Sequence, residues 1–463
     1  MPHQRLTLRP HQESAARDIL STLRETDRAV YVSACGTGKT LVLTELVSRL
    51  NPQVTVVCAP WLSLLQQLHA AFTRQLPDVR TAFVCSADDL KQHGTGAIHD
   101  LLAETDPRPL LIFSTYQSLG LTRAALNAAG LVAGLLIGDE AHHLATTSAF
   151  GQDAVSDEFP ANKRVFATAT PRLCSADDSG VMQLDASMDN SERYGPVAHE
   201  LTFGAAIKAG IIADYSLAVL ATNSREIAAK IEHDADLRLA AAIVAVQRLR
   251  EQQSANRIVA VLNRVDRARE FAALAHRSGI PAHLVVGEMA PSERLDVLDE
   301  FARTGGVLVN VRCLAEGVDL PELDGLIFVD PRQSVVDLAQ NIGRAIRLKR
   351  DGRRGIIAVP VVVDAEAESV DGQLPEGYET LAGVLSVLRE LDERLAGSVP
   401  VSTGSCRQQA GSTPQGGEHP IVEVDGSDVS ATQWLRQVLE VRLLTDLRML
   451  SFDELMEYEA HRA

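Results

Sequence analysis

The residues most able to do chemistry near the N-terminus form a short loop between an apolar run and a helical pattern. The loop is Ser33-Ala34-Cys35-Gly36-Thr37-Gly38-Lys39-Thr40. Glycines in such a loop let backbone N–H groups approach a phosphate, and the N-terminus of the following helix favours its negative charge. Lys39 is placed to reach β- and γ-phosphates, and the Thr40 hydroxyl to ligate Mg²⁺. The sequence therefore predicts a phosphate-binding loop that holds ATP through Gly36, Thr37, Gly38, Lys39 and Thr40, although Ser33 replaces the first glycine of the usual pattern.

A pair of acids follows a second apolar run, Gly134–Gly138. Asp139 and Glu140 precede Ala141-His142-His143 and lie 100 residues after Lys39. An acid at the carboxyl end of a buried strand points into the crevice where α/β sheets bind ligands. We predict that Asp139 holds Mg²⁺ and that Glu140 is the catalytic base for the attacking water, with Lys39 as a second catalytic residue.

The elements that must position these residues are short apolar runs that alternate with helical patterns. The runs are rich in Val, Ile and Leu, lack strict alternation and leave enough chain for crossover helices, which is typical of parallel strands buried on both faces. We predict an α/β fold with two tandem parallel-sheet domains and a small helical C-terminal tail. The predicted strands of the first sheet are Ala29–Ala34, Val54–Pro60, Leu110–Thr115, Leu135–Glu140 and Arg164–Thr170. Those of the second are Arg257–Asn263, Ala282–Gly287, Val307–Val311, Gly325–Asp330 and Gly355–Val363.

The net charge of −17 is concentrated at the C-terminal end. From Asp364 to Ala463 there are 19 acidic and 7 basic residues, a net of −12, so the other 363 residues carry only −5. The basic run from Arg344 to Arg354 therefore remains available to a nucleic-acid backbone. The chain shows no membrane-length apolar run and no signal-peptide layout, and its 6 cysteines form no C-x-x-C pair. These features predict a cytoplasmic protein with no membrane segment, zinc site or disulfide framework.

The pattern changes after Val363. Residues 366–397 have helical spacing, 398–430 are rich in Gly, Ser, Gln and Pro and predict a flexible linker, and 431–463 contain a strongly amphipathic helix. That helix has an apolar stripe and acidic flanks, which predicts docking on a protein surface. The alternatives for that surface are a nuclease or other defence-complex subunit, a second copy of the chain, or the protein's own second domain.

From Leu8 to Val363 the chain resembles superfamily 2 helicases of the DEAD/DEAH-box type. Leu8-Arg9-Pro10-His11-Gln12 resembles their adenine-recognition motif, which implies that Gln12 reads the base edge and that Arg9 lies beside the nucleotide. Three further segments resemble motif Ia, the strand-tracking segment after it, and motif III. This resemblance implies nucleic-acid contacts from Pro60, Gln67, Thr115, Tyr116, Thr168 and Thr170.

The second half carries two more motifs of the same group. Glu316-Gly317-Val318-Asp319 resembles motif V and implies that Gly317 and Asp319 help to bind the nucleotide. Gln340-x-x-Gly343-Arg344-x-x-Arg347 resembles motif VI, which implies catalytic roles for Gln340, Arg344 and Arg347, the arginines acting as fingers on the γ-phosphate. The implied architecture is two RecA-like domains, 1–203 and 225–365, joined by a connector over 204–224, with ATP and Mg²⁺ between them.

The connector segment indicates which subgroup of these helicases the chain resembles. Phe203–Tyr215 is similar to the corresponding segment of type I and type III restriction-enzyme motor subunits, and the chain also resembles bacterial helicases with helicase-associated domains. The resemblance implies an ATP-dependent DNA helicase or translocase, with DNA favoured over RNA, within a restriction or phage-defence system. A duplex translocase without unwinding activity, an RNA helicase and a non-catalytic binding subunit remain as alternatives.

Overall fold

The computed structural model describes residues 6–85, 106–145, 151–176, 182–231, 235–311, 322–330, 353–363, 376–392 and 422–426, with shorter stretches at 342, 394 and 401–403. The chain divides into two compact units, and the main boundary falls between Phe203 and Gly204. Within the described residues, no helix is long and apolar enough to cross a membrane.

The first unit is a parallel sheet with helices packed on it. Its strands are β1 (Arg28–Ser33), β2 (Val54–Ala59), β3 (Arg80–Val84), β4 (Leu110–Thr115), β5 (Leu135–Asp139), β6 (Arg164–Thr168) and β9 (Val197–Leu201), in the order β3-β4-β2-β5-β6-β1-β9. Strands β7 (Arg172–Ala176) and β8 (Met182–Ser187) form a separate two-stranded sheet. The helices are α1 (Pro10–Glu25), α2 (Lys39–Leu50), α3 (Leu62–Gln75), α4 (Leu119–Ala128), α5 (Gln152–Val155) and α6 (Ser191–Tyr194), with 3₁₀ turns at Tyr116–Ser118 and Ala141–Leu144.

The second unit is built in the same way. Its strands are β10 (Tyr215–Thr222), β11 (Arg257–Leu262), β12 (Ala282–Val285), β13 (Gly306–Val311), β14 (Gly325–Phe328), β15 (Gly355–Val362), β16 (Val401–Thr403) and β17 (Val422–Gly426), in the order β12-β13-β11-β14-β15-β10-β17-β16. Its helices are α7 (Phe203–Lys208), α8 (Ser224–Lys230), α9 (Leu237–Gln253), α10 (Val265–Arg277), α11 (Pro291–Thr304) and α12 (Tyr378–Leu391).

Burial on both faces explains why the central strands are continuous apolar runs. Every residue of β1, β2, β5 and β6 is buried, and apolar clusters lie on both sides of the first sheet. Parallel strands of this kind are covered by crossover helices, which removes the need for a polar face. The prediction of two tandem RecA-like parallel-sheet domains is confirmed.

Two stretches differ from the sequence-based boundaries. Tyr215–Thr222, predicted as part of the connector, is strand β10, and all eight of its residues are buried between β15 and β17. Residues 401–403 and 422–426, predicted within a flexible linker, are β16 and β17 of the same sheet. In β17 the apolar Val422 and Val424 alternate with the acids Glu423 and Asp425, and Val424 is fully buried against the sheet. Two such residues are too few to stand out in a polar, glycine-rich stretch.

Several predicted functional residues lie outside the described residues. They are Gly317 and Asp319 of the motif V segment, Gln340, Arg344 and Arg347 of the motif VI segment, and the C-terminal helix predicted within 431–463.

Candidate nucleotide-binding site

The phosphate-binding loop connects the carboxyl end of β1 to the first turn of α2. Gly36 and Gly38 adopt φ angles of 84° and 87°, a left-handed backbone that glycine accepts without steric cost. A Cβ on Gly38 would also collide with the side-chain amide of Gln12. Both glycines are exposed, so the loop presents its backbone to a ligand at the start of a twelve-residue helix.

Ser33 explains how the loop keeps its shape without the usual first glycine. Its hydroxyl lies 2.7 Å from the Thr37 hydroxyl, which donates to the Ala34 carbonyl at 2.7 Å. The Ser33 carbonyl accepts a hydrogen bond from Lys39 Nζ at 3.2 Å. Thr37 is buried, and its carbonyl accepts from Gln12 Nε2 at 3.0 Å, so its main contribution here is to hold the loop in shape.

Lys39 and the two acids at the end of β5 act on one another electrostatically. Burial lowers the pKa of Lys39, but interaction with the Cys35 sulfur once it is ionised, and with the Glu140 and Asp139 carboxylates, outweighs burial and raises it. Burial, and after it repulsion from Glu140, raises the pKa of Asp139. Two smaller effects lower it: the charge of Lys39, and the Glu140 N–H, which donates to Asp139 Oδ1 at 3.0 Å. The predicted clamp, metal ligand and base are therefore brought together by the fold.

Glu140 has a backbone conformation that few non-glycine residues adopt, with φ 49° and ψ 47°. This left-handed geometry turns the chain sharply at the end of β5, and such strain is often found at functional sites. Tyr116 stabilises this turn, because its hydroxyl donates a hydrogen bond to the Asp139 carbonyl at 2.7 Å. Glu140 keeps 15% of its side chain exposed, so its carboxylate remains accessible to water.

His142 joins the acid pair to the end of β6. Its Nδ1 lies 2.9 Å from Thr168 Oγ1, 3.4 Å from Thr170 Oγ1 and 3.5 Å from Glu140 Oε2. Burial, with a smaller contribution from the Lys39 charge, lowers the pKa of His142 to about 3. The imidazole is therefore neutral at physiological pH; it hydrogen-bonds to Thr168 and Thr170 and lies beside Glu140 without forming an ion pair. The site prediction did not include His142, although the Asp-Glu-Ala-His order already contained it.

Three residues expected to contact nucleic acid face inward instead. Tyr116 is 5% exposed, Thr168 is 0% exposed and Thr170 is 6% exposed, and all three make hydrogen bonds beneath the acid pair. For these side chains the predicted surface contact is corrected: they hold Asp139 and His142 in place. Of the others, Gln67 is exposed on α3, whereas the Thr115 hydroxyl donates to Ser118 Oγ at 3.0 Å. Pro60 is half-buried just before α3.

A pocket of about 380 Å³ extends from the phosphate-binding loop across the starts of α1 and α2 to the end of α3. Arg9 and Gln12, the residues of the adenine-recognition motif, line it together with Gly36, Gly38 and Thr40. Gln12 is 4% exposed; its Oε1 accepts from the Arg9 N–H at 2.9 Å and its Nε2 donates to the Thr37 carbonyl at 3.0 Å. The predicted base-reading residue thus also ties α1 to the phosphate-binding loop.

The donor set fits a magnesium nucleotide. The Thr40 hydroxyl and a buried carboxylate, Asp139, are oxygen donors of the kind that Mg²⁺ prefers. Burial and the neighbouring Glu140 raise the pKa of Asp139 despite Lys39, and a divalent cation bound there would favour the ionised carboxylate. Bound there, Mg²⁺ would neutralise charge on the β- and γ-phosphates.

The fold and this site define a P-loop nucleotide-binding protein with two RecA-like domains. Residues 5–173 match the family model of the res subunit of type III restriction enzymes, and residues 240–349 match that of the helicase conserved C-terminal domain. The chain belongs to the superfamily 2 helicases and is related to the motor subunits of restriction enzymes.

Individual relatives agree with this placement. The chain is 25% identical over 378 residues to the probable helicase A859L of African swine fever virus (isolate Tick/South Africa/Pretoriuskop Pr4/1996), a match that covers 78% of this chain and 42% of the viral protein. It is 31% identical over 115 residues to the probable ATP-dependent RNA helicase ddx55 of Dictyostelium discoideum, covering 21% of this chain and 17% of that protein.

A solved structure shows the same fold over nearly the whole chain. The ATP-dependent Type ISP restriction-modification enzyme LlaBIII bound to DNA is similar with a TM-score of 0.79 at 22% identity, covering 94% of this chain and 32% of that enzyme. This chain therefore spans about a third of the length of that enzyme and about two fifths of the length of the viral helicases.

Proposed function

We propose that the protein is an ATP-hydrolysing DNA translocase or helicase. The observation that carries the proposal is the phosphate-binding loop placed within electrostatic reach of a paired carboxylate site, Lys39 with Asp139 and Glu140. A loop that only binds phosphate has no need of a second acid, held in a strained backbone, whose carboxylate stays open to water.

Each residue then has a separate task. Backbone N–H groups at Gly36–Thr40 and the Lys39 ammonium hold the phosphates, and Thr40 and Asp139 hold Mg²⁺. Glu140 accepts a proton from the water that attacks the γ-phosphorus while the bond from that phosphorus to the β–γ bridging oxygen breaks and ADP leaves, and Lys39 stabilises the charge that develops on the γ-phosphate oxygens. The second domain supplies Arg344 and Arg347 as fingers and Gln340 beside them, with Gly317 and Asp319 completing the nucleotide contacts.

DNA is favoured as the track because the solved neighbour that covers 94% of this chain is a restriction enzyme bound to DNA. An RNA track is the second candidate, favoured by the match to an RNA helicase over 21% of the chain. We place the protein in the cytoplasm within a restriction or phage-defence assembly, where a nuclease subunit or a second copy would bind the C-terminal segment.

The deciding experiment measures ATPase rate with duplex DNA, single-stranded DNA and RNA, with Lys39→Ala as the inactive control. Stimulation by duplex DNA supports the proposal, and stimulation by RNA alone overturns the choice of DNA. A strand-separation assay on forked DNA, run beside a triplex-displacement assay, then distinguishes unwinding from translocation. If none of the three nucleic acids supports Lys39-dependent ATP hydrolysis, the chain is not a motor.

A further inference from the structure

A tryptophan lies at the carboxyl edge of the first sheet, close to the acid pair. Trp61 follows β2 and is the last residue before α3 begins. Strand β2 pairs with β5, with Cys58 opposite Gly138, so the chain after β2 and the turn Asp139–Leu144 after β5 leave neighbouring strands at the same edge. Parallel α/β sheets bind their ligands at this edge. The turn Asp139–Leu144 is called the acid turn below.

Two ring contacts connect Trp61 to the groups around Glu140. The Trp61 indole meets the His143 imidazole edge to face, with ring centroids 4.7 Å apart and planes at 74°. The His143 ring in turn lies 4.3 Å from the ring of His142. His142 is hydrogen-bonded to Thr168, and its Nδ1 lies 3.5 Å from Glu140 Oε2. A continuous line of rings therefore runs from the start of α3 to the predicted base.

Local structure alone does not account for a tryptophan at this position. Trp61 stands where a helix favours a capping oxygen, and its side chain makes no cap hydrogen bond. In the part of the chain that the structure describes, it belongs to neither apolar cluster of the first sheet. The side chain is only half-buried, so part of the ring remains open to solvent beside the segment expected to contact nucleic acid, which contains Pro60 and the exposed Gln67.

We propose that Trp61 and His143 are positioning residues that link nucleic-acid binding at the start of α3 to the geometry of Glu140. A nucleic-acid backbone that displaces the indole shifts the His143 ring, and with it His142 and the carboxylate beside it. The inference rests on the proposed function, because it assigns how the nucleic acid regulates that same ATP site. The competing explanation is packing alone, in which the ring contact only stabilises the acid turn.

The test measures the ATPase rate of the full chain without nucleic acid and with saturating duplex DNA, and takes the ratio of the two rates. Trp61→Ala and His143→Ala should each lower that ratio about 2–10-fold, as expected for loss of one edge-to-face aromatic pair. The double variant should lower it no further than either single variant, because both remove the same link. Trp61→Phe keeps a ring and should retain most of the stimulation.

His69→Ala is the matched control, because His69 lies on α3 with its ring 4.7 Å from that of Phe83, on β3 instead of the acid turn. It should lower the melting temperature and leave the ratio unchanged. An equal fall in His69→Ala would mean a general effect of packing and overturn the inference. Unchanged ratios in Trp61→Ala, or fully additive losses in the double variant, also overturn it. A loss that disappears at saturating DNA would make Trp61 a nucleic-acid contact only, with the same consequence.

Trp61 also supplies a readout that needs no turnover. The chain has 2 tryptophans, so Trp434→Phe leaves Trp61 as its one indole fluorophore. Coupling between two binding sites is reciprocal, so Trp61 emission should change when duplex DNA binds and also when a non-hydrolysable ATP analogue binds without DNA. His143→Ala should abolish the response to nucleotide and spare the response to DNA. Emission that ignores the nucleotide in the parent protein overturns the inference.

The same measurements separate this inference from the proposed function. A wild-type chain that duplex DNA stimulates, with unchanged ratios in the Trp61 and His143 variants, contradicts the inference alone. A wild-type chain that neither binds duplex DNA nor hydrolyses ATP faster in its presence contradicts the proposed function, and the inference with it.

Discussion

The two sheets share one topology, yet only the first has a nucleotide loop within the described residues. Counted from the first strand of each unit, both run in the order third, fourth, second, fifth, sixth, first, followed by one added strand in the first sheet and two in the second. Strand β10 of the second sheet therefore occupies the place of β1, and β14 occupies the place of β5. The difference in function must come from the turns and side chains at the carboxyl ends of these strands.

The turn after β1 and the turn after β10 differ in whether a side chain caps the N-terminus of the following helix. After β1 the loop ends at Gly38, which has no side chain to cap α2, so a phosphate can take that place. After β10 the chain enters α8 through Asn223, whose side chain accepts from the Glu226 N–H at 2.8 Å. In the second domain the Asn223 amide oxygen thus occupies the helix N-terminus, whereas in the first domain the corresponding position is open to a ligand.

The acid at the carboxyl end of the fifth strand also has different surroundings in the two domains. Asp139 is buried, and burial raises its pKa despite the nearby Lys39. Asp330, which follows β14, accepts from the Asn263 N–H at 3.0 Å and from Arg267 Nε at 3.1 Å. One topology thus holds a buried acid near the Lys39 ammonium in the first domain and an acid bonded to a backbone N–H and an arginine in the second.

The largest effect that tests this contrast is expected from Glu140→Gln. Removing the base should lower ATP turnover by roughly 10²–10⁴-fold while nucleotide binding persists, because the amide cannot accept the proton. Asp330→Asn is the matched control in the second domain and should lower stability with turnover unchanged. Near-normal turnover in Glu140→Gln, measured by phosphate release, would remove that carboxylate from the mechanism.

The second domain is predicted to act on ATP through its arginines. Arg347→Ala, and to a lesser degree Arg344→Ala, should lower turnover by a factor on the order of 10³ with a much smaller change in nucleotide affinity. Steady-state kinetics beside equilibrium binding separates the two quantities. An equal loss of affinity without a specific loss of turnover would mean that these arginines only help to bind ATP.

Gly38→Ala addresses the open helix N-terminus directly. The left-handed backbone at φ 87° strains any Cβ by about 1–2 kcal/mol, and the added carbon would also push against the Gln12 amide. Nucleotide affinity should therefore fall about tenfold or more. Gly130→Ala, at a left-handed glycine with open space around it, is the control for backbone strain alone. Equal affinities in the two variants would show that the Gly38–Gln12 contact is unimportant.

The local structure is predictable where a residue's type and its neighbours along the chain decide it. The loop Gly36–Thr40 lies between a strand and a helix, and Asp139 and Glu140 lie at the end of a strand, as their short spacings predict, while their roles in binding and hydrolysis stay predictions. Strands buried on both faces were found as apolar runs. The edge strands β3 and β9 were missed because half-exposed strands such as Val197–Leu201 carry too few apolar residues to stand out.

The other errors came from contacts between residues far apart in sequence. Tyr116 and Thr168 were expected at a surface, yet the fold places them beneath the acid pair. Arg74 and Gln75 carry no motif, and their place in the pocket depends on a bond across 69 residues, from the Gln75 side chain to Leu6. Strand β10 lies in the range 204–224, where the resemblance predicts a connector although Tyr215–Thr222 is largely apolar.

Two truncations separate the sheet from the predicted docking segment. Ending the chain after Gly397 removes β16 and β17, exposes the edge of β10 and should lower the free energy of unfolding by about 2 kcal/mol or more through loss of buried apolar surface such as Val424. Ending it after Ser430 spares both strands, so DNA-stimulated ATPase should persist while co-purification of a partner or dimerisation is lost. Loss of ATPase and a sharply lower melting temperature in the second truncation would place residues 431–463 in the core of the motor instead.

The smallest effect is expected from Asn223→Ala, which opens the helix N-terminus that the second domain keeps closed. Loss of a capping side chain costs about 1 kcal/mol, which for a domain of this size lowers the melting temperature by roughly 2–4 °C. Asn223→Ser retains a capping oxygen and should restore most of that loss. Neither variant should change the affinity for ATP, because α8 is only seven residues long and no glycine loop precedes it. Binding of a second nucleotide by Asn223→Ala, detected as a stoichiometry above one, would show that the cap alone had suppressed a latent phosphate site.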